Sequence, residues 1–180
     1  MLNYSTVFKL DYDADSLLKW RTVIMEHQDP KHSEWILEHL DLDSITIDQM
    51  PFKIMPDELY EDVAKAVAPI NIIKDEHCCS IERLKPNTKV ELHIDHSMNF
   101  TAGPLVRKTN VLFNLSDRPC HIIHEEESEN KSFSKGEILI LNVTKSHGAD
   151  NSDCDEWIDL FGLNLRMTYS DTVEYFKTLL

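Results

Sequence analysis

The rhythm of hydrophobic and polar positions changes near residue 70. Before it, apolar residues mostly recur at helical spacing: Leu17, Trp20 and Ile24 in DSLLKWRTVIMEHQ, then Trp35, Ile36 and Leu40 in the segment after Pro30. A third helix opens at Pro56, carries Leu59, Val63 and Val67, and is stopped by Pro69. Asp13 or Asp15 can cap the first helix, and Asp29 before Pro30 starts the second. The opening STVFKLDYD instead alternates Val7, Lys9 and Asp11 against Phe8, Leu10 and Tyr12, which suits a strand. After Pro69 come short β-rich runs separated by turn residues: HCCSIERL, KVELHID, KTNVLFNL, CHIIHE, GEILILNV and WIDLFGLNLRM. Helices followed by a block of antiparallel strands predict an α+β chain, a jelly-roll barrel buttressed by N-terminal helices. Residues 1–180 read as one domain, with 1–70 mainly helical support and 71–170 supplying the barrel.

Composition narrows the partners. A formal net charge of -14 disfavours nucleic acid and anionic membrane surfaces. Glu125, Glu126, Glu127 and Glu129 read as a solvated loop. No segment approaches the length of a membrane span, and a basic leader is lacking, so a cytoplasmic protein is expected. The cysteines at 78, 79, 120 and 154 show no C-x-x-C spacing, which suits free thiols in a reducing compartment.

The candidate chemistry lies in VELHID. Strict alternation places Val90, Leu92 and Ile94 on one face and Glu91, His93 and Asp95 on the other. Two ligands at i and i+2 can reach one ion, and a third from a distant strand completes a facial triad with three coordination positions open. His147, in the TKSHGADN turn after the strand GEILILNV, is the best third candidate.

KPNTKVELHIDH, RKTNVLFNLSD and FSKGEILILNVTKSHGADN together resemble the catalytic half of Fe(II)/2-oxoglutarate dioxygenases, in the aspartyl/asparaginyl β-hydroxylase-like branch. The resemblance covers about residues 78 to 167 and leaves the helical part unmatched. It implies a double-stranded β-helix (cupin-like) barrel, Fe(II) held by His93, Asp95 and His147, and 2-oxoglutarate as co-substrate. It also implies hydroxylation of an amino-acid side chain or small molecule, and hence a small-molecule or peptide substrate. Such enzymes anchor the far carboxylate of 2-oxoglutarate with a cation, usually Arg. The family commonly places that arginine on the strand after the distal histidine, where this chain has Trp157. The replacement candidates are Lys108 and Arg166, with Arg107 beside them, and Asn110 and Asn114 share a strand face with Lys108.

Two other function classes fit the same strands: a cupin-like metal enzyme without 2-oxoglutarate, and a non-catalytic barrel used as a binding or structural module. His121 and His124 look like a second metal pair, but on a strand they point to opposite faces and would need a bend to meet. His96 faces away from His93 and Asp95 if their strand continues, and Trp157 reads as core or pocket wall.

Overall fold

The computed structural model describes residues 4–21, 44–95, 98–100, 103–105 and 109–180. Twelve strands among these residues form two facing antiparallel sheets and a small hairpin. The larger sheet is built from β1 (Ser5–Lys9), β2 (Ile45–Pro51), β3 (Cys78–Leu84), β7 (Thr109–Asn114), β10 (Glu137–Leu141) and β12 (Ile158–Leu165), in the order β1-β10-β7-β12-β3-β2. The smaller contains β4 (Thr88–His93), β8 (Cys120–His124), β9 (Lys131–Phe133) and β11 (His147–Asn151), in the order β4-β11-β8-β9. β5 (Met98–Phe100) and β6 (Gly103–Leu105) pair with each other. Helices α1 (Ala14–Lys19), α2 (Asp57–Ala66) and α3 (Tyr169–Leu179) and two short 3-10 helices, Phe52–Ile54 and Glu127–Glu129, complete the chain's described regular structure.

The central strands are apolar on both faces because each face is covered. Val111 and Phe113 of β7, with Phe161, Leu163 and Leu165 of β12, join Leu17, Leu59, Val63 and Phe176 in a core between the larger sheet and the helices. Leu112, Ile158 and Leu160 turn the other way and pack on Ile122, Phe133 and Ala149 between the two sheets. Continuous apolar runs such as NVLF and DLFGLNL follow from this double burial. Cys78, Cys79 and Cys120 are buried and form no disulfide.

Three features depart from the sequence reading. The first 70 residues contribute two strands to the larger sheet, not one. In β2, Ile45 and Ile47 pack into the inter-sheet core while Met50 joins the other core, a pattern of alternation hidden by reading the region as helical. The C-terminal helix α3 was not anticipated, although Thr168 caps it through Oγ1, which accepts from the Asp171 amide at 3.2 Å. The helical readings beyond residue 21 and after Pro30, with Ile24, Trp35, Ile36 and Leu40, lie outside the described residues. Two readings hold: Asp13 caps α1 by accepting from the Ser16 amide, and α2 buries Leu59 and Val63. Among the described residues no helix is long and apolar enough to cross a membrane.

α3 is tied to the sheet by Phe176, fully buried and stacked on Phe8 of β1 with 6.2 Å between ring centroids. Phe176→Ala is expected to destabilise the fold by about 3–5 kcal/mol, read as a lower urea midpoint with unchanged slope. An unchanged midpoint would mean that α3 is not part of the cooperative core.

Candidate metal centre

Strict alternation along β4 would send Val90 and His93 to opposite faces. The pairing of β4 with β11 breaks it. His147 lies opposite His93 and Ala149 lies opposite Val90, so three steps on β4 face two on β11. Glu91 and Leu92 therefore share the space opposite Gly148, a β-bulge that reverses the face of everything beyond it. Val90 still packs into the inter-sheet core, while His93 and Asp95 now line the same interior cavity. Leu92 and Ile94, expected beside Val90, are exposed. Gly148 is what the bulge needs, because a Cβ there would overlap the Val90 carbonyl oxygen and crowd the Glu91 backbone.

The three sequence-derived ligands converge. One donor atom from each of His93, Asp95 and His147 lies within 4.8 Å of the others. His93 Nε2 is 3.4 Å and His147 Nε2 3.8 Å from Asp95 Oδ1. Metal–ligand bonds of about 2.0–2.2 Å would need only a small closing of this triangle. His93 Nδ1 donates to the Glu91 carbonyl at 2.8 Å, and His147 Nδ1 donates to the Lys145 carbonyl at 2.8 Å. Because a carbonyl only accepts, both rings carry a proton on Nδ1 and turn Nε2 inward, where the deprotonated atom offers the lone pair a metal requires. Asp95 sits just past the end of β4, where its amide donates to the Val143 carbonyl at 3.1 Å. The donor set, two neutral imidazoles and one carboxylate on one side of a centre, fits a divalent transition metal.

The electrostatics are those of a cation site. Burial opposes charge on His93, but its hydrogen bond to Asp95, the Glu91 carbonyl, and the negative fields of Asp95 and Glu82 outweigh it and hold its pKa above the ordinary histidine value. His147 is more enclosed, and burial holds its pKa below that value despite Asp95. The His93 side chain is 32% exposed, against 7% for His147 and 14% for Asp95, so the centre opens on the His93 side.

The other sequence candidates separate. Asn110 lines the cavity; its Nδ2 donates to Glu82 Oε1 at 3.4 Å and its Oδ1 has no partner. The spare group is thus an acceptor, which suits a donor and not a carboxylate. Asn114 is spent on a turn. Its Nδ2 donates to the Arg118 and Phe133 carbonyls and its Oδ1 accepts from the Ser116 amide. Arg166 is exposed past the end of β12, near enough to His77 to affect its charge, and does not line the cavity. Arg107 and Lys108 lie outside the described residues, as does His96. Trp157 is neither core nor cavity wall: it is partly exposed under the Arg83 guanidinium, 4.5 Å from the ring centroid. On β12 the residues facing the cavity side are even-numbered, so position 157 is directed away from it.

His124 lies in register with His147 on β8, but Nε2 bonds Ser5 Oγ at 2.9 Å and Nδ1 approaches the Ser146 carbonyl, so it is a structural histidine. His121 is exposed, on the opposite face as expected. Sequence reading missed Glu82, which lines the cavity on β3 and accepts from Ser80 Oγ at 2.9 Å. Its alternation with Cys79 and Ile81 looks like an ordinary solvent-facing stripe.

No family model and no curated protein sequence matches the chain. Solved structures do. A prolyl-4-hydroxylase from Pseudomonas putida aligns with a TM-score of 0.52 and 8% identity, over 91% of this chain and 92% of that one. The fold is a double-stranded β-helix. Weaker likenesses are to a Cupin 2 conserved barrel domain protein from Salinispora arenicola (TM-score 0.41, 13% identity, 77% of this chain and 91% of that one) and to oxalate decarboxylase from Bacillus subtilis (0.45, 8%, 79% and 28%). At these identities the likeness concerns the fold alone.

Two outcomes follow from the geometry. Gly148→Ala should weaken binding of Fe(II), or of Mn(II) as a redox-stable stand-in, by about 10- to 100-fold with the fold retained by circular dichroism; unchanged affinity would separate the bulge from the ligands. A metal must also displace the His93 proton. Below the raised His93 pKa, affinity measured by calorimetry should therefore fall about tenfold for each unit of acidification. A flat profile from pH 6 to pH 8 would contradict that assignment.

Proposed function

We propose that the chain is an Fe(II)- and 2-oxoglutarate-dependent oxygenase, a cytoplasmic hydroxylase of an amino-acid side chain or small molecule in the aspartyl/asparaginyl β-hydroxylase-like branch. The observation that carries the reading is the triad itself, with both Nδ1 atoms tied to backbone carbonyls and both Nε2 atoms turned toward Asp95. His93, Asp95 and His147 would hold the iron on one side, leaving the other side for co-substrate and oxygen. Iron held there would activate O2, the oxidant, which takes two electrons from 2-oxoglutarate as it becomes succinate and CO2 and two from the C–H bond that is hydroxylated.

The chain's own residues do the rest. Val90, Leu112, Ile122 and Leu160 line the cavity with apolar surface, which keeps water and stray C–H bonds from a reactive centre. Among the described residues no Arg or Lys lines the cavity. The reading assigns the carboxylate anchor to Lys108 or Arg107, immediately before β7.

One observation favours a second reading, a metal enzyme without 2-oxoglutarate. The space between the lining residues is about 50 Å³, room for about four water-sized groups, so a whole dicarboxylate would have to extend beyond it.

The test is an anaerobic titration of the metal-free protein with Fe(II), with and without 2-oxoglutarate, followed by visible absorption. The reading predicts a weak charge-transfer band that needs both components, vanishes in His147→Ala, and requires about tenfold more 2-oxoglutarate in Lys108→Ala or Arg107→Ala. Stoichiometric iron binding without the band would replace it with the second reading. Absence of iron binding would leave a barrel used as a binding module.

A further inference from the structure

Two of the three metal ligands are fixed by one short connection. Residues 142–146 join β10 to β11, and their carbonyls hold both Asp95 and His147: Val143 accepts from the Asp95 amide at 3.1 Å, and Lys145 accepts from His147 Nδ1 at 2.8 Å. The Lys145 amide tightens the turn by donating to the Asn142 carbonyl at 3.0 Å, and Thr144 Oγ1 donates to Asn142 Oδ1 at 2.7 Å. Neither ladder reaches the turn, because β10 ends at Leu141 in the larger sheet and β11 begins at His147 in the smaller one. Whatever anchors the turn therefore sets how Asp95 and His147 stand to each other.

The start of β1 supplies two anchors. Ser5 lies opposite Leu141, and one step further along the Asn142 amide donates to the Tyr4 carbonyl at 2.9 Å. Ser5 shares the inter-sheet face of β1 with Val7, and its Oγ is 2.9 Å from His124 Nε2 on β8, in the facing sheet. His124 stands opposite His147 in register, and its Nδ1 is 3.4 Å from the carbonyl of Ser146, the residue that precedes His147. Ser5 is 7% and His124 3% exposed, and the Tyr4 ring lies against the imidazole with 5.1 Å between centroids. The turn is thus gripped at Asn142 through backbone and at Ser146 through a side chain.

Proton positions give this chain of contacts a direction. Burial holds the His124 pKa below the ordinary histidine value, so the ring is neutral at neutral pH. The Ser146 carbonyl only accepts, which places the ring proton on Nδ1 and leaves Nε2 to accept from the Ser5 hydroxyl. His93, His147 and His124 stand side by side across β4, β11 and β8. In His124 the Nε2 lone pair is taken by Ser5, so this ring braces the row instead of joining the donor set.

We propose that Ser5 and His124 are positioning residues of the metal centre, acting through Ser146 to hold the turn that fixes His147 and Asp95. The inference rests on the reading of His93, Asp95 and His147 as metal ligands and requires nothing of 2-oxoglutarate.

The experiment uses the full metal-free chain with nitrogen-15 histidine, and Mn(II) as the probe. Ser5→Ala is compared with Thr6→Val, which removes the next hydroxyl along β1, one that shares a hydrogen bond with the Tyr169 hydroxyl on the other side of the strand. Ser5→Ala is expected to weaken Mn(II) binding about tenfold and, before metal is added, to shift the ring-nitrogen resonances of both His124 and His147; Thr6→Val is expected to change neither. In the unsubstituted protein His124 is expected to carry its proton on Nδ1, a result that needs no variant. A proton on His124 Nε2, an unchanged Mn(II) affinity in Ser5→Ala, or equal losses in Ser5→Ala and Thr6→Val, the mark of a general effect on the strand, would overturn the proposal. Should the unsubstituted chain bind no Mn(II), the triad reading fails, and the His147 shift in Ser5→Ala alone decides whether the brace reaches that ring.

Discussion

The site depends on one backbone irregularity. β4 carries one residue more than β11 between the His93–His147 and Ala149–Val90 pairs, and that extra residue turns His93 and Asp95 inward while Val90 stays in the core. Without it, burying Val90 would expose both ligands, because a one-residue slip moves a whole strand's side chains to the other face. Gly148 makes the irregularity possible by leaving room for the Val90 carbonyl. The glycine directly after the distal histidine is therefore part of the site's construction, although it touches no metal.

A second consequence is the balance between rigidity and access. Each histidine is fixed by a hydrogen bond to the carbonyl two residues before it, so ring orientation is set by local backbone and not by distant packing. Asp95, one residue past Ile94 and outside the ladder, is fixed by its amide bond to Val143 in the connection that leads to His147. The three ligands thus come from two elements that brace each other, and the more exposed His93 marks the side from which ligands arrive.

What could be read from the sequence was what depends on short spacing. The H-x-D pair and a histidine after the GEILIL strand pick out the three residues that converge, because side chains at i and i+2 share a direction even beyond a bulge. The bulge itself was not legible, since the partner strand sets it and a strict period of two was the natural reading of VELHID. Glu82 was missed for a related reason: polar residues alternating with apolar ones look solvent-facing, and only the sandwich shows that β3 is covered on both faces. Trp157 was misjudged because its direction depends on the face parity of β12, which places it outside under Arg83. For α3 the local signal, Thr168 three residues before Asp171, was present and simply lay beyond the last strand read.

Asn110, which the sequence suggested as a carboxylate partner, is held by Glu82 through Nδ2 and keeps an Oδ1 acceptor without a partner. The central claim is that His93, Asp95 and His147 hold one metal ion. Anomalous X-ray diffraction from crystals loaded anaerobically with Fe(II) tests it most directly. A single peak about 2.0–2.2 Å from His93 Nε2, an Asp95 carboxylate oxygen and His147 Nε2 is the predicted result; a peak held by other residues, or no peak at the triad under saturating metal, would contradict it.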